Sequence, residues 1–187
     1  EPGELIVDIT TSGWVFNSNS GLYSYQIQCH GDNSGFADFS ISGGVSPYTI
    51  LCLDADYDTI YNNNIQYIDN LSAGNYIFQV VDANGCVYSE TILFNEPSPI
   101  KHHFIPTHVT CSGWSNGSLT DAISGGTGSA TSYTYSWNTG ENTYSLTGIP
   151  IGTYTMTVTD ENNCIDVESF VINDDNALSA SASAINV

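Results

Sequence analysis

Apolar and polar residues alternate along short stretches of the chain, as they do in strands that bury one face. Segment 76–82 (YIFQVVD) and segment 154–160 (YTMTVTD) both place an apolar or aromatic residue at every second position. The intervening residues of the second segment are threonines, which suit the solvated face of a strand. Glycines break most long runs, and we find no window with helical periodicity. The pattern therefore predicts an all-β protein.

A turn motif follows each of these two segments. The first reads DANGC and ends at Cys86, and the second reads DENNC and ends at Cys164. Glycine and asparagine tolerate positive φ best, so Gly85 and Asn163 fit the same turn position. We expect the aspartates that open these motifs, Asp82 and Asp160, to cap the turns through their side chains rather than to bind metal.

The chain contains two copies of one unit. The copies run from Ile27 to Cys86 and from Val109 to Cys164, and each carries a Gly-Gly pair, a Tyr-Thr strand and a Gly-x-Tyr motif in the same order. The first copy has seven extra residues after Cys52, and the second has three extra before SYTYSW. The difference of four equals the difference between the cysteine spacings of 57 and 53 residues. Such a repeat predicts two domains of the same fold.

Short alternating strands and frequent turns predict two tandem immunoglobulin-like antiparallel β-sandwich domains. Leu71-x-x-Gly74-x-Tyr76, echoed by Ile149-x-x-Gly152-x-Tyr154, resembles the tyrosine corner of such domains. Trp137 lies in the middle of a predicted strand, where these sandwiches often bury a tryptophan. We place the first repeat at 1–97, with its core at 26–97 and an extended N-terminal strand region. The second repeat is placed at 98–175, and 176–187 is the start of a third unit or a linker.

The charge balance limits the partners. Twenty acidic residues face a single basic one, Lys101, which gives a formal net charge of -19. Because 41% of the residues are hydrophobic, the charges belong on a folded surface rather than in a disordered chain. Nucleic-acid binding needs clustered Lys and Arg, and anionic lipid headgroups would be repelled. No apolar run approaches the roughly 20 residues of a membrane span. We therefore expect neither nucleic-acid binding nor direct membrane insertion.

Five cysteines occur in an orderly arrangement. Because the positions correspond in the two copies, we predict the disulfides Cys29–Cys86 and Cys111–Cys164, formed in an oxidising compartment. Cys52 remains, and its predicted state is a buried free thiol at the position of the tryptophan. The alternatives are an exposed thiol that bridges molecules and pairing with another cysteine. Zinc is disfavoured because no CxxC occurs.

The insertion after Cys52 is the candidate metal site. Asp54, Asp56 and Asp58 alternate, so an extended segment would point all three carboxylates the same way, as a weak Ca²⁺ site requires. The alternative is a solvated polar insertion. Asp58 also opens a three-residue sequence, Asp-Thr-Ile, that matches a short O-glycosylation signal. No other cofactor is predicted.

Residues 11–25 lengthen the first junction and carry four aromatic residues: Trp14, Phe16, Tyr23 and Tyr25. We predict that they form extra strands on the first sandwich, with a sugar-binding stripe as the alternative. An enzyme is disfavoured, because the four histidines lie in or near the unit junctions and an 80-residue sandwich has little room for a catalytic cleft.

The ordered motifs resemble the SprB repeats of Bacteroidetes gliding-motility adhesins. That pattern runs C-x-G-x-x-x-G, a GG pair, PYTYSW, L-x-A-G-x-Y, V-x-D-x-N-G-C and a final EP. It is matched in the first copy by Cys29, Gly31, Gly35, Gly43, Gly44, Pro47, Tyr48, Leu71, Ala73, Gly74, Tyr76, Val80, Asp82, Asn84, Gly85, Cys86, Glu96 and Pro97, and in the second by Cys111, Gly113, Gly117, Gly125, Gly126, Tyr133, Tyr135, Trp137, Gly152, Tyr154, Val158, Asp160, Asn162 and Cys164. The first copy departs from the pattern at Cys52, where a tryptophan is expected.

The resemblance implies a segment of a large filamentous adhesin, secreted to the outer cell surface and used for gliding motility and attachment. Its implied partners are neighbouring repeats of the same chain, the gliding machinery of the cell envelope, and a surface polysaccharide or substratum. The alternative function is an array of carbohydrate-binding modules on a secreted polysaccharide-degrading protein.

Overall fold

The computed structural model describes residues 3–12, 14–17, 22–25, 27–127 and 132–175, without the side chains of 14–17, 22–25 and 63. All regular elements among these residues are β-strands, which confirms the predicted fold class. No helix of the described residues is long and apolar enough to cross a membrane. The chain divides into two compact units, Glu1–Pro99 and Ile100–Val187. The sequence places the first boundary two residues earlier, after residue 97.

The first unit is a sandwich of two antiparallel sheets. Its strands are β1 (Ile6–Thr11), β2 (Trp14–Asn17), β3 (Leu22–Tyr25), β4 (Gly35–Ser42), β5 (Thr49–Leu53), β6 (Thr59–Asn63), β7 (Tyr67–Leu71), β8 (Gly74–Val81) and β9 (Val87–Phe94). One sheet has the order β1-β4-β7 and the other has the order β6-β5-β8-β9. Alternate residues of both sheets face each other, and Phe39 and Phe78 meet edge to face at a centroid distance of 5.5 Å.

The N-terminal segment contributes differently from the prediction. Strand β1 pairs with β4 along its whole length and buries Val7, so the core of the first repeat starts near residue 6 rather than 26. Strands β2 and β3 pair only with each other, as a separate two-stranded sheet, and do not extend either sheet of the sandwich. The aromatic residues at 14, 16, 23 and 25 lie on this hairpin, and their side chains are outside the described part.

The second unit repeats the same architecture with fewer strands. These are β10 (Phe104–Thr107), β11 (Gly117–Asp121), β12 (Thr134–Trp137), β13 (Ser145–Ile149), β14 (Gly152–Thr159) and β15 (Ile165–Ile172). The sheets have the orders β10-β11-β13 and β12-β14-β15. The first unit has one further strand in its second sheet, β6, because the insertion after Cys52 turns back and pairs with β5.

The tyrosine corner predicted from the sequence forms in both units. The hydroxyl of Tyr76 donates to the carbonyl of Ser72 at 3.1 Å, and that of Tyr154 donates to the carbonyl of Pro150 at 2.8 Å. Both rings are buried, so each hydroxyl needs such an acceptor. The bond ties the start of the long strand β8 or β14 to the connection that precedes it.

One cross-strand pair of core residues differs between the two units in which strand carries the larger side chain. Cys52 faces Phe78 across β5 and β8, and Trp137 faces Met156 across β12 and β14. All four side chains are buried. In the first unit the small Cys52 lies opposite the large ring of Phe78. In the second unit the large ring of Trp137 lies opposite the flexible side chain of Met156. Each pair thus combines a larger and a smaller side chain, which keeps both cores filled.

Candidate functional site

Each unit has an upstream end, where its chain begins, and the turn motif before the second cysteine lies there. In the first unit, the carboxylate of Asp82 accepts hydrogen bonds from the backbone N–H of Val45 at 3.0 Å, Asn84 at 2.9 Å and Cys86 at 2.8 Å. Burial acts to raise the pKa of Asp82, but these hydrogen bonds outweigh it and lower the pKa below its usual value. Asp82 is therefore a structural cap, as the sequence predicts.

The second unit repeats this cap. Asp160 accepts from the backbone N–H of Asn162 and of Cys164, both at 2.9 Å, and from Thr127 through its N–H at 2.8 Å and its hydroxyl at 2.9 Å. Burial again acts to raise the pKa of Asp160, and the hydrogen bonds lower it. Asn163 has a φ of 65°, like Gly85 with 83°, so the turn has the same shape in both units.

The Gly-Gly pair brings the start of each unit to the same end. A Cβ on Gly43 would lie 1.8 Å from the carbonyl oxygen of Glu4, and one on Gly126 would lie 2.9 Å from Ile100 and 3.0 Å from Asp160. Both glycines have positive φ, so glycine is required by conformation as well as by space. Chain start, Gly-Gly pair, aspartate cap and second cysteine together form the upstream end.

The first cysteine of each unit lies at the other, downstream end, where the last strand finishes. In the first unit, Ile27 donates to the carbonyl of Asn95 at 2.5 Å, and the N–H of Gly31 donates to Glu96 at 2.6 Å. These bonds hold Cys29 beside residues 95–96. In the second unit, Val109 donates to Asn173 at 3.0 Å and accepts from Asp175 at 2.9 Å, which holds Cys111 there in the same way.

The predicted disulfides Cys29–Cys86 and Cys111–Cys164 are wrong. Cys86 and Cys111 are exposed free thiols, whereas Cys29 and Cys164 are disulfide-bonded. The whole of β9 separates Cys86 from Asn95, so the cysteines of the first unit are about 30 Å apart at the rise of an antiparallel strand. Strand β15 separates those of the second unit equally. A disulfide needs Cα atoms within about 7 Å, so neither unit can close its own pair.

Cys52 is a buried free thiol, as predicted, and it lies in the core of the first unit. Burial, assisted by the negative charge of Asp54, raises the pKa of its thiol to about 12. Because the thiolate is the reactive form, Cys52 is a packing residue and not a nucleophile.

The acidic insertion does not gather its carboxylates. Residues 54–58 form a turn instead of an extended segment, with Tyr57 at a φ of 66°. One oxygen of Asp54 accepts from the N–H of Asp56 at 3.0 Å and of Asp58 at 2.9 Å, so this carboxylate is used to close the turn. In the part of the chain that the structure describes, no group of three His, Cys, Asp or Glu residues is arranged to hold a metal ion. The premise of the Ca²⁺ site, one extended segment, is thus wrong.

A buried ion pair in the second unit was not predicted from the sequence. The side chains of His102 and Asp121 are both fully buried, and His102 Nδ1 contacts Asp121 Oδ2. His102 Nε2 lies 3.4 Å from Asp166 Oδ2. Burial acts to lower the pKa of His102, but the hydrogen bond and charge of Asp121, with the charges of Asp166 and Glu168, raise it above its ordinary value. The ring is therefore held in its charged form to a higher pH than a free histidine.

Aligning the two copies would have identified the pair of His102 and Asp121 from the sequence, because both residues replace apolar ones of the first copy. Ile9 pairs with Phe39 in the first unit, and Phe104 pairs with Asp121 in the second, so Asp121 takes the place of Phe39. By the same register, His102 takes the place of the buried Val7. Two apolar core positions of one copy thus become a histidine and an aspartate in the other.

A shallow cavity of about 280 Å³ lies next to this pair. It is lined by Asp121, Ala122, Ile123, Tyr133, Tyr135 and Tyr144. The ring of Tyr144 is 58% exposed, while the hydroxyl of Tyr133 is bound to the carbonyl of Gly125 at 2.5 Å. The rings of Tyr133, Tyr135 and Tyr144 beside an open cavity are a surface on which a sugar ring can stack.

Comparison with known families gives a match in the second unit. Residues 104–142, from β10 to just after Trp137, match the SprB repeat. This agrees with the resemblance found in the sequence motifs. No curated protein matches the chain in sequence.

Solved structures with a similar fold are distant in sequence. They include the three N-terminal domains of the highly immunogenic outer capsid protein of bacteriophage RB49, at 18% identity and a TM-score of 0.47, covering 91% of this chain and 59% of that one. The IG1 and IG2 domains of DIP-gamma share 10% identity, with a TM-score of 0.44 and coverage of 91% and 99%. The C-terminal 282-residue fragment of intimin, in complex with the intimin-binding domain of its translocated receptor, shares 12% identity, with a TM-score of 0.40 and coverage of 94% and 64%.

Proposed function

From the SprB repeat in the second unit and its duplicate in the first, we propose that this chain is a non-enzymatic segment of a cell-surface adhesin, built from tandem repeats that give the molecule length. The observation that carries the proposal is the SprB match at residues 104–142 together with the same strand order in both units. Secretion to the outer cell surface and a part in gliding motility and attachment belong to the same proposal.

The features that the two units share support a structural role. What the repeats share is the tyrosine corner, the aspartate cap and the Gly-Gly approach, all of which hold strands and turns in place. What differs between them, the β2–β3 hairpin and the β5–β6 insertion, lies outside this shared frame. A shared frame that consists of such structural contacts is typical of a spacer repeat.

The surface charge supports the same role. A formal charge of -19 on 187 residues makes two such chains repel each other at low salt. Filaments made of such repeats would resist lateral association with one another, and this general repulsion does not prevent binding of a specific target.

Antibodies raised against the chain test the location and the role. Intact, unpermeabilised cells of the source organism should be labelled along surface filaments, and cells that lack the gene should lose both labelling and attachment to glass. Labelling only after permeabilisation would contradict the proposal. Loss of attachment without loss of gliding would support an adhesin and would refute the proposed part in gliding motility.

The cavity beside Tyr144 supports a second candidate, a carbohydrate-binding module. A glycan array probed with the wild type and with Tyr144→Ala tests it. A reproducible glycan ligand that is lost in Tyr144→Ala would favour a lectin over a spacer. Tyr57 is 72% exposed in the first unit and lines a different surface, so Tyr57→Ala is the matched control.

A further inference from the structure

The four cysteines at the ends of the units occupy equivalent positions but differ in state. Cys111 corresponds to Cys29 at the downstream end, and Cys86 corresponds to Cys164 at the upstream end. In each of these two pairs of equivalent residues, one member is disulfide-bonded and the other is an exposed free thiol. Cysteines at both positions of the repeat are therefore able to form disulfides, and two of the four are free thiols.

The two end cysteines of one unit lie too far apart to bond with each other. The other cysteines of the first unit, Cys52 and Cys86, are free, and so is Cys111 in the second. The separation of about 30 Å along β9 or β15 gives the physical reason. A disulfide of this repeat thus does not close a loop inside one sandwich.

We propose that these cysteines join repeats head to tail, the first cysteine of one repeat bonding with the second cysteine of another repeat of the same kind. For two copies of this chain, the rule joins Cys111 of one copy to Cys86 of the next. The inference rests on the proposed role of the repeats as a filament, but it does not depend on adhesion to any target.

The surface around Cys86 is shaped to receive another repeat. A cavity of about 500 Å³ opens at the upstream end of the first unit, lined by Gly3, Glu4, Leu5, Gly44, Asp82, Asn84, Cys86, Val87 and Tyr88. Val87, next to Cys86, is 58% exposed, so the wall beside the thiol is apolar and open to solvent. An apolar group of a neighbouring repeat would be stabilised there.

The surface around Cys111 offers such a group. Trp114 is 58% exposed and lies in the turn that begins at Cys111, closed by the Trp114 N–H bond to the Cys111 carbonyl at 3.1 Å. A large exposed ring three residues from one thiol therefore matches the apolar side of the cavity beside the other, which Leu5, Val87 and Tyr88 form. Because the two surfaces differ, the contact is of the head-to-tail kind, which adds copies in an open chain.

The bond forms by thiol–disulfide exchange with a small-molecule disulfide such as oxidised glutathione. The thiolate of Cys86 attacks one sulfur of that molecule, forms a mixed disulfide and releases one glutathione thiolate. The thiolate of Cys111 from the other copy then attacks the protein sulfur and releases the second. Two protein thiols are oxidised, one small disulfide is reduced, and the protons pass to the released thiolates.

The test incubates the full chain with oxidised glutathione and maps its disulfides by mass spectrometry without reduction. We expect a ladder of covalent multimers whose new bond is Cys86–Cys111. This bond should be in about tenfold or greater excess over Cys86–Cys86 or Cys111–Cys111, because docking raises the effective concentration of one thiol at the other. Cys86→Ser and Cys111→Ser should each stay monomeric alone. A mixture of the two should give a dimer and nothing larger.

Controls separate docking from random oxidation. Both serine variants should keep the wild-type melting temperature, because both thiols are exposed and a serine hydroxyl at position 86 can keep the side-chain hydrogen bond to Asp82. Trp114→Ala should slow the formation of the mixed dimer while leaving both thiols equally reactive towards a small maleimide. Bonds between like cysteines at the frequency of the mixed bond, or no covalent multimer, would overturn the proposal. Neither result would bear on surface location or glycan binding, which the earlier assays measure.

Discussion

Replacing the buried pair of the second unit by the apolar residues of the first tests whether His102 and Asp121 act as one unit. The variants are His102→Val, Asp121→Phe and the double variant, which copy Val7 and Phe39 of the first sandwich. His102→Val leaves the buried charge of Asp121 uncompensated, and Asp121→Phe leaves His102 with Asp166 at 3.4 Å as its nearest carboxylate. Breaking a buried pair in this way costs about 3–5 kcal/mol. Replacing both removes the charges together, which is often neutral or stabilising by about 1–4 kcal/mol.

Asp121 also accepts the N–H of His103 at 2.8 Å, and that bond is lost in the double variant. A typical net value for one hydrogen bond is about 1 kcal/mol, which offsets part of any gain. We therefore expect each single variant to lose several kcal/mol of unfolding free energy and the double variant to stay near the wild type. The coupling energy from the double-mutant cycle should then be several kcal/mol.

Urea unfolding followed by tryptophan fluorescence measures this, since Trp137 is buried in the second core and reports its opening. The pKa of His102 is raised in the folded state, so its contribution is complete below the unfolded value of about 6.5 and is lost as the pH rises through the folded pKa. The wild type should thus lose stability relative to the double variant as the solution becomes alkaline. Additive single effects, or a difference that is constant from acid to alkaline pH, would refute the coupling.

Four further predictions concern packing and charge. Tyr154→Phe should cost about 1 kcal/mol by urea unfolding, because it removes only the corner hydrogen bond. Gly43→Ala should cost more than the roughly 1–2 kcal/mol of a left-handed residue, since its Cβ would meet the Glu4 carbonyl at 1.8 Å; an unchanged melting temperature would show that this approach is not required. Cys52→Trp should overpack the first core by about 1–3 kcal/mol, and adding Phe78→Met, which copies the second core, should restore most of the loss in a thermal melt. The melting temperature of the wild type should rise from low to high sodium chloride as self-repulsion is screened, and a flat profile would mean that the charges are too dispersed to matter.

The amino-acid sequence determined those features that depend on residues close together in the chain. Alternation with a period of two predicted the strands, because neighbouring side chains of a strand face opposite sides. The hydrogen bonds of Asp82 and Asp160 within their own turns, and those of the tyrosine corners, join residues at most four positions apart, so their motifs predict these bonds directly. The repeat then extended each local prediction to a second copy and gave the domain organisation.

Only the tertiary structure decided which distant residues come together. Equal spacing of the cysteines suggested pairs within each unit, but it carries no information on which end of a sandwich each cysteine occupies, and one full strand of about 30 Å keeps them apart. The same holds for His102 and Asp121, which lie 19 residues apart and become an ion pair because β10 pairs with β11 in one register. The three aspartates of the insertion alternate in sequence, yet the turn at Tyr57 redirects them. Sequence spacing fixes the path length between two residues, and the fold alone fixes the distance.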